Sequence, residues 1–297
     1  MTPHSIDYAT KEEVLIEALP YIQTYEGKTF VIKYGGSAMT DESLKLTFAK
    51  DVTLLRKIGI NIVIVHGGGK EITDTAARLG IETQFVQGQR FTDENMIRVV
   101  LMVLAGGLNK EIVRGINQNG GNALGLCGVD NSLLKGAKLS RNGVDLGFVG
   151  TVTAVNTTFL QMILQNGMMP VIAPLAVGPS GEIFNVNADL GAAAVASALG
   201  AEKLVYLSDV EGIIANGSLV STLRQTEARR MIEQGVIFGG MIPKVQSAFE
   251  TLDAGVNKVH IVDGRVKHSL LLEIFTDEGI GTQMIHDATP RRKSIAI

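Results

Sequence analysis

Lys33 stands inside the apolar run FVIKY and is followed at once by Gly35-Gly36, and a second apolar run ending at His66 is followed by Gly67-Gly68-Gly69. A lysine in a buried strand is costly unless its ammonium reaches a partner or an anion. Glycines after a strand let backbone N–H groups approach a phosphate closely, and the start of the next helix adds the positive end of its dipole. Lys244, just after Gly239-Gly240-Met241 and near a predicted helix start, repeats the combination of glycine and cation. The chemistry open to such groups is phosphate binding and phosphoryl transfer. Turn glycines and a salt-bridged structural lysine would leave the same trace at any one place, but two loops with a lysine beside the first point to function.

The segment NVNAD, Asn185 to Asp189, sets two amides and a carboxylate before an Ala-rich helix. Capping that helix needs only one of them, so the surplus suggests a ligand contact or an organising carboxylate. Arg90, in GQRFTDE, is readable both as a surface residue and as a planar fork for a carboxylate.

Other chemistries fail on their residues. Gly27-Lys28-Thr29 resembles the end of a P-loop, but Ile22 stands where that motif needs its first glycine. His66-Gly67-Gly68-Gly69 lacks the G-x-S-x-G elbow that an esterase would require, and no H-R-D or D-F-G follows the VIK of Val31 to Lys33. There is no G-x-G-x-x-G fingerprint, and the five histidines show no metal-ligand spacing, so no protein-held metal is expected.

The elements that must position these groups alternate. Strands are predicted at Phe30 to Tyr34, Asn61 to His66, MMPVIAP, Lys203 to Asp209 and KVHIV, with a terminal strand near Gly281 to Ile285. Helices are predicted at Asp41 to Ile58, after His66 to Leu79, Thr92 towards Gln118, Thr157 to Asn166, Ala188 to Leu199, around Thr226 to Gln234, Ile242 to Ala254 and His268 to Phe275. Strand and helix in alternation give a parallel sheet covered on both faces, hence a three-layer α/β/α sandwich. Short strands between Ala123 and Val155 read as a hairpin-rich rim, and a helix over Lys11 to Tyr25 precedes the first strand as an appendage. Both glycine loops should then share one sheet edge.

Composition narrows the partners. With 297 residues, 45% of them hydrophobic, the chain can bury a large core, and 27 basic against 30 acidic residues leave no field drawing it to nucleic acid or an anionic membrane. The single cysteine, Cys127, suits a reducing cytoplasm. The N-terminus does not read as a signal peptide, and apolar stretches such as Val99 to Ala105 fall well short of the ~20 residues of a membrane span.

Taken together, VIKYGGSAM, VIVHGGGKEI, GQRFTDE, NVNAD, LSDVEGI and GGMIPKV resemble the amino acid kinase family, from about Lys28 onward. HGGG with GQR and NVNAD is most similar to the branch that phosphorylates N-acetyl-L-glutamate with ATP. The resemblance implies that Lys33 and Lys244 neutralise the moving phosphoryl group while Asp189 holds both. It implies further that Gly35, Gly36 and Asp209 lie at the nucleotide, that Gly68, Gly69, Arg90 and Asn185 hold the acceptor, and that Mg²⁺ arrives with ATP. The acceptor-binding lobe would span residues 28–180 and the ATP-binding lobe 181–297. Residues 1–27 and His268 to Ile285 resemble the arginine-sensitive members, hexamers whose N-terminal helices interlace dimers. There Glu273 would hold L-arginine, with Gly279 and His260 nearby. Rival readings are a kinase for glutamate, aspartate or UMP, and an arginine-binding scaffold without turnover.

Overall fold

The computed structural model describes residues 8–86, 88–141, 144–276 and 279–288. Residues 1–7 of the N-terminal segment, 277 and 278 within the predicted His268 to Ile285 stretch, and 289–297 lie outside the described residues.

The chain begins with α1 (Tyr8–Tyr25), β1 (Thr29–Tyr34), a 3₁₀ turn (Gly36–Met39), α2 (Glu42–Lys57), β2 (Asn61–His66) and α3 (Gly69–Arg78). A short hairpin, β3 (Phe85–Val86) and β4 (Gln89–Arg90), leads to α4 (Glu94–Leu101), a π-helical stretch (Met102–Leu108), α5 (Asn109–Gln118) and β5 (Ala123–Cys127). Next come β6 (Leu134–Arg141), β7 (Val144–Val155), α6 (Thr157–Gln165), β8 (Met169–Ala173), β9 (Leu175–Val177), β10 (Ile183–Val186) and α7 (Ala188–Leu199). The remainder is β11 (Lys203–Ser208), β12 (Ile214–Ala215), β13 (Ser218–Leu219), β14 (Thr222–Arg224), α8 (Gln225–Glu233), α9 (Met241–Asp253), β15 (Lys258–Asp263), α10 (Ser269–Ile274) and β16 (Thr282–Ile285).

Eight strands form one sheet in the order β14-β16-β15-β11-β1-β2-β8-β5. From β15 to β5 every neighbouring pair is parallel, whereas β16 runs antiparallel to β15 and parallel to β14. Side chains of a strand alternate between faces, and the core divides accordingly. Phe30, Ile32 and Tyr34 pack with Phe48, Val52 and Leu55 of α2, while Val31 packs on the other face with Ala192, Val195 and Ala196 of α7 and with α9. The expected three-layer sandwich is therefore what forms. Among the described residues no helix is long and apolar enough to cross a membrane.

Two predictions need correction. The hairpin-rich rim is a closed barrel of β10, β7, β6 and β9. The closure uses glycines: a Cβ at Gly150 would stand 2.5 Å from Phe184 Cβ, and one at Gly136 2.7 Å from Ala176 Cβ. Register shifts in the β6–β7 ladder bend the strands around that ring. The long helix expected from Thr92 to Gln118 starts at Glu94, with Asp93 accepting from Met96 N at 2.7 Å, and widens into the π-helical stretch at Met102–Leu108. Gly106 and Gly107, within that stretch, carry no side chain to resist the wider turn.

His268, at the N-cap of α10, ties that helix to α2: its Nδ1 lies 2.6 Å from the buried Asp51 Oδ1. Desolvation pushes the Asp51 carboxyl up to about 6, against the opposing pull of His268. A carboxyl raised in the folded state favours folding fully only below about pH 4, and that contribution is lost as pH rises through about 6. Asp51→Asn should therefore gain stability relative to the parent chain by roughly 2–3 kcal/mol between about pH 4 and 8, read from urea unfolding at each pH. A pH-independent difference would contradict the burial cost assigned to Asp51.

Candidate active site

β2, β1 and β11 are neighbours and parallel, so the turns that leave them meet at one sheet edge, where open α/β sheets bind ligands. Lys33 shares the face of Val31, beneath α7. Asp189 occupies the first turn of α7, and its Oδ1 lies 3.0 Å from Lys33 Nζ, with side chains 30% and 15% exposed. Asn187 performs the capping, accepting from Asp189 N at 2.8 Å and Leu190 N at 3.3 Å, which leaves the Asp189 carboxylate available to Lys33. Lys244, in the first turns of α9, donates to Ser208 Oγ at 3.0 Å at the end of β11. Burial lowers the Lys244 pKa most; Asp189 opposes this, Lys33 adds to it and Asp209 opposes it. Both ammonium groups thus feel the Asp189 carboxylate, Lys33 through a direct ion pair and Lys244 through its charge.

The turn after β1 shows why glycine is needed. A Cβ at Gly35 would stand 2.7 Å from Lys33 Nζ, and one at Gly36, where φ is +69°, 2.6 Å from Asp209 Oδ1. That carboxylate oxygen accepts from Ser37 N at 2.7 Å. Gly35, Gly36 and Asp209 are therefore brought together.

After β2, Gly67 N donates to Tyr34 O at 2.8 Å and Gly68 adopts φ +153°. A Cβ at Gly68 would stand 2.4 Å from Leu108 Cδ1 and 2.6 Å from Leu104 Cδ2, both in the π-helical stretch, and Gly69 opens α3. Arg90 is buried beside this turn: its Nη2 donates to Gly69 O at 2.8 Å and Thr73 Oγ1 at 2.9 Å, and its guanidinium lies over Phe85. Burial lowers its pKa. Asn185 Nδ2 donates to Thr92 Oγ1 at 3.3 Å from β10, which precedes α7.

His260, Glu273 and Lys203 form a separate buried cluster on the face covered by α1, α2 and α10. His260 Nδ1 lies 2.7 Å from Glu273 Oε1, and Lys203 Nζ 3.5 Å from His260 Nε2 and 4.7 Å from the Tyr25 ring centroid. Glu273 Oε2 accepts from Ile280 N at 2.8 Å and Gly281 N at 2.9 Å, while Gly279 N donates to Thr276 Oγ1 at 3.1 Å. Sequence reasoning missed Lys203, Ser37 and Ser208. For Lys203 the signal was present, since a lysine in the apolar strand KLVYLS is costly for the reason that singled out Lys33. Among the described residues no three His, Cys, Asp or Glu side chains gather as a metal site.

Phosphoryl transfer passes through a loose transition state whose peripheral oxygens carry charge, and fixed ammonium groups with backbone N–H donors are one means of stabilising it. Sequence comparison gives the same class: the chain belongs to the amino acid kinase family, whose pattern matches residues 28–263. Curated relatives that it resembles include acetylglutamate kinases. That of Chlorobaculum tepidum is 54% identical over 274 residues, covering 92% of this chain and 96% of the relative. That of Chlorobium limicola is 57% identical over 273 residues, covering 92% and 90%. Among solved structures, N-acetylglutamate synthase from Neisseria gonorrhoeae complexed with coenzyme A and N-acetyl-glutamate superposes with a TM-score of 0.84 at 28% identity. That match covers 96% of this chain and 65% of the synthase chain. The same synthase complexed with coenzyme A and L-arginine gives a TM-score of 0.79 at 27% identity, covering 94% and 66%.

Gly36→Ala would place a methyl group against the Asp209 carboxylate at a positive φ. It should lower stability by about 1–3 kcal/mol, measured by chemical unfolding, and raise KM for ATP. An unchanged KM would separate this turn from the nucleotide.

Proposed function

We propose that the chain transfers the γ-phosphoryl group of ATP to the side-chain carboxylate of N-acetyl-L-glutamate, giving N-acetyl-L-glutamyl 5-phosphate in arginine biosynthesis. The observation that carries this reading is the convergence of Lys33 and Lys244 on Asp189 beside two glycine turns. The names of relatives more than half identical support the acceptor. The acceptor carboxylate is already ionised at neutral pH, so no general base is required. Lys33 and Lys244 offset the charge on the transferring group and Asp189 keeps them apart and oriented. The backbone of Gly35 and Gly36 faces the nucleotide with Asp209 bracing their turn, while Gly68, Gly69, Arg90 and Asn185 hold the acceptor. Mg²⁺, entering on the phosphate oxygens of ATP, would reduce their negative charge.

Residues 28–180 serve as the acceptor-binding lobe and 181–297 as the ATP-binding lobe of a cytoplasmic enzyme, with residues 1–27 joining subunits into a hexamer. L-Arginine inhibits by competing for the Glu273 carboxylate near His260 and Gly279, loosening its hold on the backbone of Ile280 and Gly281. A fold-mate that has been captured with L-arginine supports this.

ADP formation from Mg-ATP with N-acetyl-L-glutamate, L-glutamate, L-aspartate or UMP tests the acceptor, and turnover is expected with the first alone. Lys244→Ala should lower kcat by roughly 10²–10³-fold while leaving acetylglutamate binding nearly intact; a change confined to KM would sink the role given to this lysine. Glu273→Gln should keep turnover and lose its suppression by L-arginine. Retained inhibition in that variant would move the effector elsewhere.

A further inference from the structure

The second glycine turn rests on a chain of buried polar groups that phosphoryl transfer does not itself employ. His66 and Asn109 are both fully buried. His66 Nδ1 lies 2.8 Å from Gly67 O, and a carbonyl oxygen only accepts, so Nδ1 carries the proton. Its Nε2 then offers a lone pair, and Asn109 Nδ2 stands 3.3 Å from it. The orientation of the Asn109 amide is fixed in turn: its Oδ1 accepts from Lys110 Nζ at 3.0 Å, and its Nδ2 donates to Val171 O at 2.8 Å and to Leu126 O at 3.2 Å. β5 makes room for this pair with a glycine, since a Cβ at Gly125 would stand 2.1 Å from Asn109 Oδ1. Burial drives the His66 pKa down to about 4, so the ring is neutral near pH 7.

The peptide unit between Gly67 and Gly68 is planar and trans, which makes its C=O and N–H point in opposite directions. With the carbonyl tied to His66, the Gly68 N–H faces away from that ring, and among the described residues it has no acceptor. We infer that His66 is a positioning residue which, by holding the Gly67 carbonyl, aims the Gly68 N–H at the acceptor carboxylate as it takes up the transferring group. This rests on the kinase reading above for its consequence, but not for its geometry.

Two amide variants separate the contacts. The shorter side chain of His66→Asn would place an N–H where Nδ1 stands, whereas the longer one of His66→Gln would reach towards Asn109 and leave the Gly67 carbonyl unpaired. His66→Gln should lose about 100-fold in kcat with KM for ATP little changed, and His66→Asn should stay within about 5-fold of the parent. Equal losses in the two variants, or no loss in His66→Gln, would overturn the assignment. Independently of turnover, ¹⁵N-histidine NMR of the parent chain should show His66 protonated at Nδ1 alone and unchanged between about pH 5.5 and 8. An Nε2-protonated ring, or one titrating in that range, refutes the proposal even if the chain proves to be no kinase. The Nδ1 pattern without any turnover would instead count against the kinase reading only.

Discussion

The ion pair between Lys33 and Asp189 is the contact on which the site depends. It ties the end of the central strand β1 to the first turn of α7 at 3.0 Å. The helix entering this contact comes directly from β10, so the small barrel sets the angle at which α7 approaches the sheet. Asn187 caps the helix and Asp189 serves the lysine, a division that lets both neighbours satisfy separate demands. Removing Asp189 would leave Lys33 partly desolvated without the carboxylate that pairs with it.

Lys244 adds a second cation to the same small volume. Its burial and its proximity to Lys33 both favour loss of its proton, and the two nearby aspartates oppose this. An arriving phosphate would add negative charge between the lysines, so ligand binding and retention of charge on Lys244 reinforce each other. The glycine turns contribute differently: Gly36 and Gly68 admit an Asp209 carboxylate and two leucine side chains that a Cβ would displace. Their lack of side chains is thus a packing requirement before it is a ligand-binding one.

The sheet and its flanking helices were legible because β1, β2 and β11 are predominantly apolar runs and α2, α4, α6 and α7 carry their own side-chain caps. Lys33 was legible as a charge out of place, and Asp189 as a surplus group beside a sufficient cap. The barrel was not, because its closure depends on glycines facing Phe184 and Ala176 from distant strands, which no local periodicity records. Ser37 and Ser208 escaped notice for a similar reason: a serine next to a turn is unremarkable until Asp209 or Lys244 is seen to reach it. His66 was visible only as part of HGGG, since Asn109 joins it from a separate helix.

The place of β16 bears on how the chain reaches this state during synthesis. It lies between β14 and β15, pairing with both, and Thr282 Oγ1 accepts from Ile213 N at 2.8 Å. Both of its partner strands precede it in the chain, so neither can complete that side of the sheet as it leaves the ribosome. The parallel strands from β5 to β11 can assemble earlier, but β14 acquires its in-sheet neighbour only when residues 282–285 have emerged. Completion of that side therefore waits until β16 has emerged, and until then the edge of β15 is open to other chains.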